Sequence, residues 1–192
     1  MVEPDRNGHP NLLQMVRKYI KDTLGPGEEV YAQHIHRLDR PVSGIILFAK
    51  RKEVLRNLSE QFAKRKVTKR YQALTNNRPP ELIGTIQHWH RKEKKKATLY
   101  VQEVEYSELA KLSYEVRPLD KRFLWDIELH TGKFHQIRAQ LASLGCPIEG
   151  DVLYGSMVSF AENCIALNAS VLSFSHPFTN DSMIIQNLKG WQ

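Results

Sequence analysis

Apolar residues recur at two spacings along this chain, and the alternation between them outlines its elements. Leu12, Leu13, Val16, Ile20 and Leu24 keep helical spacing, and Gly25-Pro26-Gly27 is placed to stop that helix. Val54, Leu55, Leu58 and Phe62 make a second amphipathic helix. Between the two, a strand is expected around residues 31–36, and Ile45-Ile46-Leu47-Phe48-Ala49 reads as a short, wholly apolar strand. Residues 67–75 alternate as a strand until Asn76-Asn77-Arg78-Pro79-Pro80 breaks it, a candidate crossing between two lobes.

Strands dominate the middle of the chain. Residues 82–90, 97–104 and 113–117 each suit extended structure. The best strand signal is at 123–129, where Phe123, Trp125, Ile127 and Leu129 alternate with Leu124, Asp126 and Glu128, after a turn at 119–122. Thr131-Gly132 is expected to open a third helix, with Ile137, Leu141 and Leu144 facing inward and Gly145 ending it. Residues 147–155 read as a loop, and 165–167, 171–174 and 183–185 as closing strands; residues 2–10 form an irregular lead-in. Many strands, three helices and no strict βα alternation predict an α+β fold, a mixed, mainly antiparallel sheet with flanking helices.

Composition changes this picture in one respect. Hydrophobic and charged fractions of 41% and 26% are ordinary, but Lys and Arg outnumber Asp and Glu by 28 to 21, a formal net charge of +7. That excess suits a polyanionic partner, although an unspecialised basic surface would give the same balance. A length of 192 residues fits one domain, or one domain of two lobes, with a monomer as the default. The two cysteines, Cys146 and Cys164, form no C-x-x-C pair, so no disulfide framework or zinc knuckle is signalled. Free thiols suit a reducing compartment. No signal peptide opens the chain and no apolar run could span a bilayer, which predicts a cytoplasmic protein.

Three groups are candidates for chemistry. Asp39 lies in His36-Arg37-Leu38-Asp39, followed by Arg40-Pro41-Val42-Ser43-Gly44. An Asp before Arg-Pro commonly just shapes a turn. Here basic neighbours and an adjoining apolar strand offer a carboxylate that a cation can keep ionised, ready to act as nucleophile or base. Arg138 lies in Thr131-Gly132-Lys133-Phe134-His135-Gln136-Ile137-Arg138. If the helix begins at Thr131, His135 and Arg138 share one of its faces, and with Lys133 they would attract an anion. A plain solvated helix is the competing reading. Tyr71, between Lys69-Arg70 and Gln72-Ala73, can stack on a base, or simply pack.

The basic runs Lys64-Arg65-Lys66 and Arg91-Lys92-Glu93-Lys94-Lys95-Lys96 are either solvated loops or phosphate contacts. His34 with His36, and His88 with His90, form i,i+2 pairs, but neither has a third ligand at metal-binding spacing. A metal-dependent nuclease or deaminase is therefore disfavoured. No Walker A loop and no G-x-G-x-x-G is present, so no nucleotide cofactor is expected.

Taken in order, these segments resemble the RluA family of RNA pseudouridine synthases. The resemblance runs from His36-Arg37-Leu38-Asp39 with Ser43-Gly44, through 59–62, Lys69-Arg70-Tyr71-Gln72-Ala73 and 96–100, to Thr131–Arg138, 145–151, Tyr154-Gly155 and His176-Pro177. It implies a pseudouridine synthase fold with a central catalytic cleft, occupying residues 1–192 without an S4 RNA-binding domain. It implies Asp39 as the catalytic carboxylate, Tyr71 stacked on the target uracil, and Arg138 paired with Asp39 to hold it ionised. Arg37 would fill the stack left by a flipped nucleotide, and Arg40, Lys69, Lys133 and His135 would contact RNA.

The implied reaction turns uridine into pseudouridine in rRNA or tRNA without a cofactor. Asp39 either attacks C1′ or takes the C2′ proton, and both routes stay open. Three departures stand out. Val42 replaces a usual Thr, Asn168 replaces a usual His, and the family's opening strand has no counterpart before Val2. An RNA-binding module of the same fold with impaired catalysis is the alternative.

Overall fold

A computed structural model describes residues 11–25, 29–187 and 191. The lead-in at 2–10, the missing opening strand, and Pro26-Gly27 of the expected helix stop fall outside those residues. Along the chain come α1 (Leu12–Thr23), β1 (Gln33–His34), β2 (Ser43–Gly44), β3 (Phe48–Ala49), α2 (Lys52–Ala63), β4 (Thr68–Thr75) and β5 (Ile83–Glu93). There follow β6 (Lys96–Tyr100), β7 (Glu108–Leu119), β8 (Arg122–Leu129), α3 (Gln136–Ser143), a 3₁₀ turn at Val152–Tyr154, β9 (Leu167–Ser175) and β10 (Ser182–Gln186).

The expected α+β architecture with a mainly antiparallel sheet is what forms. One sheet runs β10-β9-β4-β8-β7-β5-β6, and β2 joins β9 as its one parallel pairing among the described residues. β8, the strand with the clearest alternation, lies mid-sheet between β4 and β7. Ala110, Leu112, Tyr114 and Val116 of β7 alternate into the core with the same period of two. Trp125 of β8 is fully buried, and its indole N–H donates to Thr75 Oγ1 at 2.9 Å, so its polar edge is satisfied.

Two smaller apolar clusters carry the other helices. Leu58 of α2 packs with Val67, Leu172 and Phe174. Leu13 and Ile20 of α1 pack with Ala32, and Phe48 lies against them. Asn11 caps α1 by accepting from the Gln14 N–H at 3.0 Å.

Three sequence expectations are corrected. Ile45–Ala49 is not one buried strand: β2 leans on β9 and β3 pairs with β1, and between them Ile45 N–H still bonds Ala169 O of β9 while Leu47 O already accepts from Ile35, next to β1. The wholly apolar run satisfies two separate contacts instead of one ladder. The expected strand at 171–174 lies within β9, which takes up only Leu167 of the expected strand at 165–167 and shifts register against β4 between Arg70 and Tyr71. The third helix begins at Gln136, not Thr131, because the Gln136 side chain ties down the preceding turn. The Asn76–Pro80 break connects β4 to β5, and both strands belong to the same sheet.

Candidate active site

Asp39 reaches its place through sparse contacts. Its carbonyl accepts from the Val42 N–H at 3.0 Å, closing a turn over Arg40-Pro41. Ser43-Gly44 then docks on β9, with Ser43 Oγ bonding Asn168 Oδ1 at 3.1 Å. Gly44 has φ +120°, and a Cβ there would fall 2.4 Å from the backbone N and O of Ala169. Only glycine allows the two backbones to meet so closely. Asn168 thus holds the Asp39 turn against the sheet, although its Nδ2 finds no partner among the described residues.

Arg138 comes from the opposite construction. Every residue of α3 from Gln136 to Leu141 is buried, so only its last turn meets solvent and the pattern of an amphipathic surface helix does not apply. Its polar side chains are satisfied internally. Gln136 Oε1 accepts from Thr131 Oγ1 at 2.8 Å and from the Lys133 N–H at 3.0 Å, and Gln140 Nε2 donates to Ala110 O at 3.2 Å. His135 is not in the helix. It caps it in a left-handed conformation, φ 52°.

The two elements meet at one guanidinium. Arg138 Nε and Nη2 bind Asp151 at 2.7 and 2.8 Å, a bidentate pair buried on both sides. Arg138 Nη1 lies 3.4 Å from Asp39 Oδ2, a long contact by comparison. Arg138 and Asp39 are thus neighbours, but the main partner of the arginine is Asp151. Burial works against the charge of Arg138, yet the hydrogen bonds and charge of Asp151, with Asp39 behind them, keep its pKa above the ordinary value. The ring of Tyr154 lies 5.1 Å from the guanidinium carbon.

Asp39 opens into a cleft of about 530 Å³, a volume suited to a nucleotide. Asp39, Tyr71, Arg138, Arg37, Lys69, Lys133 and His135 all line it. Arg40 does not: it is exposed on the turn beyond Asp39 and outside the lining. Tyr71 and Lys69 are two apart on β4 and share the cleft face, whereas Arg70 points to Glu128 at 3.3 Å. Burial, with the charge of Asp39, pushes the Tyr71 phenol up to about 12. Burial, with Arg65 nearby, lowers the pKa of Lys69. Its ammonium lies over the turn at Gly132, where a Cβ would come within 3.3 Å. Lys133 is paired with Glu108 at the rim.

One histidine of each pair has a defined structural partner. His36 stacks on Phe62 and accepts from the Leu47 N–H at 3.2 Å, and burial, then Lys69 and His34, lower its pKa to about 4. His90 bonds Phe134 O at 2.7 Å. No group of three or more metal-ligating side chains occurs among the described residues.

Sequence reasoning missed two residues here, Asp151 and Tyr154. Both sit in segments that carry the resemblance, yet an acid after Gly150 reads as an ordinary turn. The usable signal was indirect: a buried arginine needs a carboxylate of its own.

Comparison with known proteins turns this geometry into a family assignment. Residues 8–143 match the model of the RNA pseudouridylate synthase family. The chain belongs to that family, in its RluA type. A tRNA pseudouridine synthase C of Vibrio parahaemolyticus is 31% identical over 90% of this chain and 76% of its own length. An uncharacterized RNA pseudouridine synthase of Aquifex aeolicus is 31% identical over 91% of this chain, and the match covers 58% of that relative. For a ribosomal large subunit pseudouridine synthase C of Buchnera aphidicola the figures are 29%, 81% and 52%. The chain therefore spans between about half and three quarters of these relatives. Among solved structures, human RNA pseudouridylate synthase domain containing 4 shares the fold, with TM-score 0.71 and 21% identity over 92% of this chain and 77% of that one.

Proposed function

We propose that this protein isomerises uridine to pseudouridine in RNA. The observation that carries the reading is the Asp39 carboxylate, set in a nucleotide-sized cleft beside a cation that a second carboxylate holds in place. The reaction breaks the C1′–N1 bond, turns the uracil and joins C5 to C1′. Asp39 serves it by attack on C1′ or by taking the C2′ proton, and no external electron donor is required for either. Tyr71 lies on the cleft wall where a flipped uracil would stack, and its phenol stays protonated at neutral pH.

Arg37, Arg65 and Lys69 make the cleft wall basic, which suits the phosphates on either side of the target. Flipping costs a few kcal/mol, and such contacts can offset it. The RNA is ribosomal or transfer RNA, the two classes named among the relatives. The protein acts as a monomeric catalytic unit in the cytoplasm. No helix among the described residues is long and apolar enough to cross a membrane.

The test is pseudouridine mapping of total RNA from a deletion strain and its parent, followed by complementation. The wild-type gene restores the missing site, and Asp39→Asn does not. Restoration by the Asp39→Asn variant would remove the catalytic assignment. RNA binding by the purified protein with no product on any RNA would favour the impaired binding module.

A further inference from the structure

His135 is built into the site in a way that contact with RNA does not explain. Its side chain is only 11% exposed, one ring face stacks on Phe134 with centroids 3.7 Å apart, and both ring nitrogens face partners. Nδ1 lies 3.0 Å from the Tyr154 hydroxyl, and Nε2 lies 3.6 Å from Asp39 Oδ2. Little of the ring is left for a phosphate. The backbone at this residue is left-handed, φ 52°, a conformation that residues other than glycine adopt at a cost. Such strain persists where the surroundings hold it.

The neighbours favour one tautomer: the Asp39 carboxylate only accepts, so the ring nitrogen that faces it is the one to carry the proton. The Tyr154 hydroxyl oxygen already accepts the Ala97 N–H at 2.8 Å, so its own proton is free to point at His135 Nδ1. Nδ1 is then the acceptor, and the ring proton resides on Nε2, on the side of Asp39. Arg138 Nη1 reaches the same oxygen of Asp39, at 3.4 Å. Both donors thus converge on Oδ2, and no hydrogen bond from the described residues reaches Oδ1.

We propose that His135 is a positioning residue: its Nε2–H, oriented by Tyr154, pins Oδ2 of Asp39 together with Arg138 and leaves Oδ1 to react. This rests on the isomerase reading above. The separation of 3.6 Å is longer than a hydrogen bond, as catalytic contacts commonly are before substrate closes the site. Two donors on one oxygen fix the plane of the carboxylate, which a single long contact leaves free to rotate. Burial lowers the pKa of His135, Arg138 and Lys92 act in the same direction, and Asp39 and Asp151 oppose them. The ring is therefore neutral at pH 7, as a donor–acceptor bridge requires.

Two measurements test this. The first is nitrogen NMR of the histidines in wild type and Asp39→Asn. His135 is expected as the Nε2–H tautomer at pH 7, titrating below 6.5, and lower still in Asp39→Asn because a stabilising carboxylate is gone. An Nδ1–H tautomer, or a titration indifferent to Asp39→Asn, overturns the proposal. The second is the pH profile of kcat and KM on a substrate RNA for His135→Asn and His135→Gln. Asn accepts the left-handed backbone but is too short to reach Asp39, so kcat falls by about 10- to 100-fold with KM unchanged. Gln restores a donor at the Nε2 position, so it recovers most of kcat while flattening the acidic limb that protonation of the ring produces. A raised KM at unchanged kcat would mean the ring binds RNA and would overturn the proposal. If wild type forms no pseudouridine, the isomerase reading fails, and the NMR result alone decides whether His135 holds Asp39.

Discussion

The two carboxylates that flank Arg138 belong to regions built in opposite ways. Asp151 is 1% exposed and binds the guanidinium through both oxygens. Its backbone is held as well, since its N–H donates to Ile148 O and its carbonyl accepts from Tyr154 and Ser156. Asp39 has a side chain 28% exposed, one long contact to the same cation, and a turn fastened by two-residue pairings. One acid stores the cation, and the other borrows it. Removing Arg138 from water requires a fully committed partner, because a buried charge without one is expensive. On the proposed isomerase reading Asp39 cannot be that partner, because strong bonds to both its oxygens would have to break before it could react.

The comparison fails most plainly if the two acids turn out to be equivalent. Asp151→Asn is expected to cost about 3–5 kcal/mol of stability, the usual penalty for breaking a buried pair, and to lower activity as Arg138 drifts from Asp39. Asp39→Asn abolishes product while shifting the unfolding midpoint far less. Denaturant titration of both variants measures this, and equal losses would refute the division of labour. Gly44→Ala comes next. A methyl group cannot enter at 2.4 Å from the Ala169 backbone, so β2 must move away from β9. About 1–3 kcal/mol of stability is lost. Activity falls by more than stability does, because the displaced residues carry Asp39; unfolding curves compared with turnover at one temperature would show it.

Among the described residues, the histidine with the largest pKa shift lies in the weaker region. His36 has its pKa lowered to about 4 from 6.5, so the unfolded chain takes up its proton first as pH falls. The stability His36 contributes is complete above pH 6.5 and drains away as pH falls to about 4. Melting temperatures across that window should slope less in His36→Phe, which keeps the stack on Phe62 without the titration. The smallest effect is expected at Arg40, exposed and outside the cleft lining. Arg40→Ala lowers RNA affinity slightly and reduces the salt dependence by at most about one counterion, read from binding isotherms at several salt concentrations.

What could be read from the chain follows the same division. β8 was legible because Phe123, Trp125, Ile127 and Leu129 alternate over a surface that packing rewards. Asp39 was legible because its basic neighbours contradict a plain turn. The start of α3 was not, because its boundary is set by the Gln136 side chain bonding Thr131 and Lys133, a local contest that no periodicity records. The run 45–49 misled because apolar content reports burial and not pairing: Ile45 and Ala49 serve different sheets. Asp151 stayed hidden because its meaning depends on Arg138 being buried, which the composition of α3, rich in Gln, does not announce.

The span between Ser43 and Leu167 carries a consequence for biosynthesis. The strand that receives the Asp39 segment is made more than a hundred residues later, so a nascent chain has Asp39 long before it has the seat for it. Domains fold as their parts leave the ribosome. A half-made copy therefore carries Asp39 without the strand that seats it until translation has passed β9.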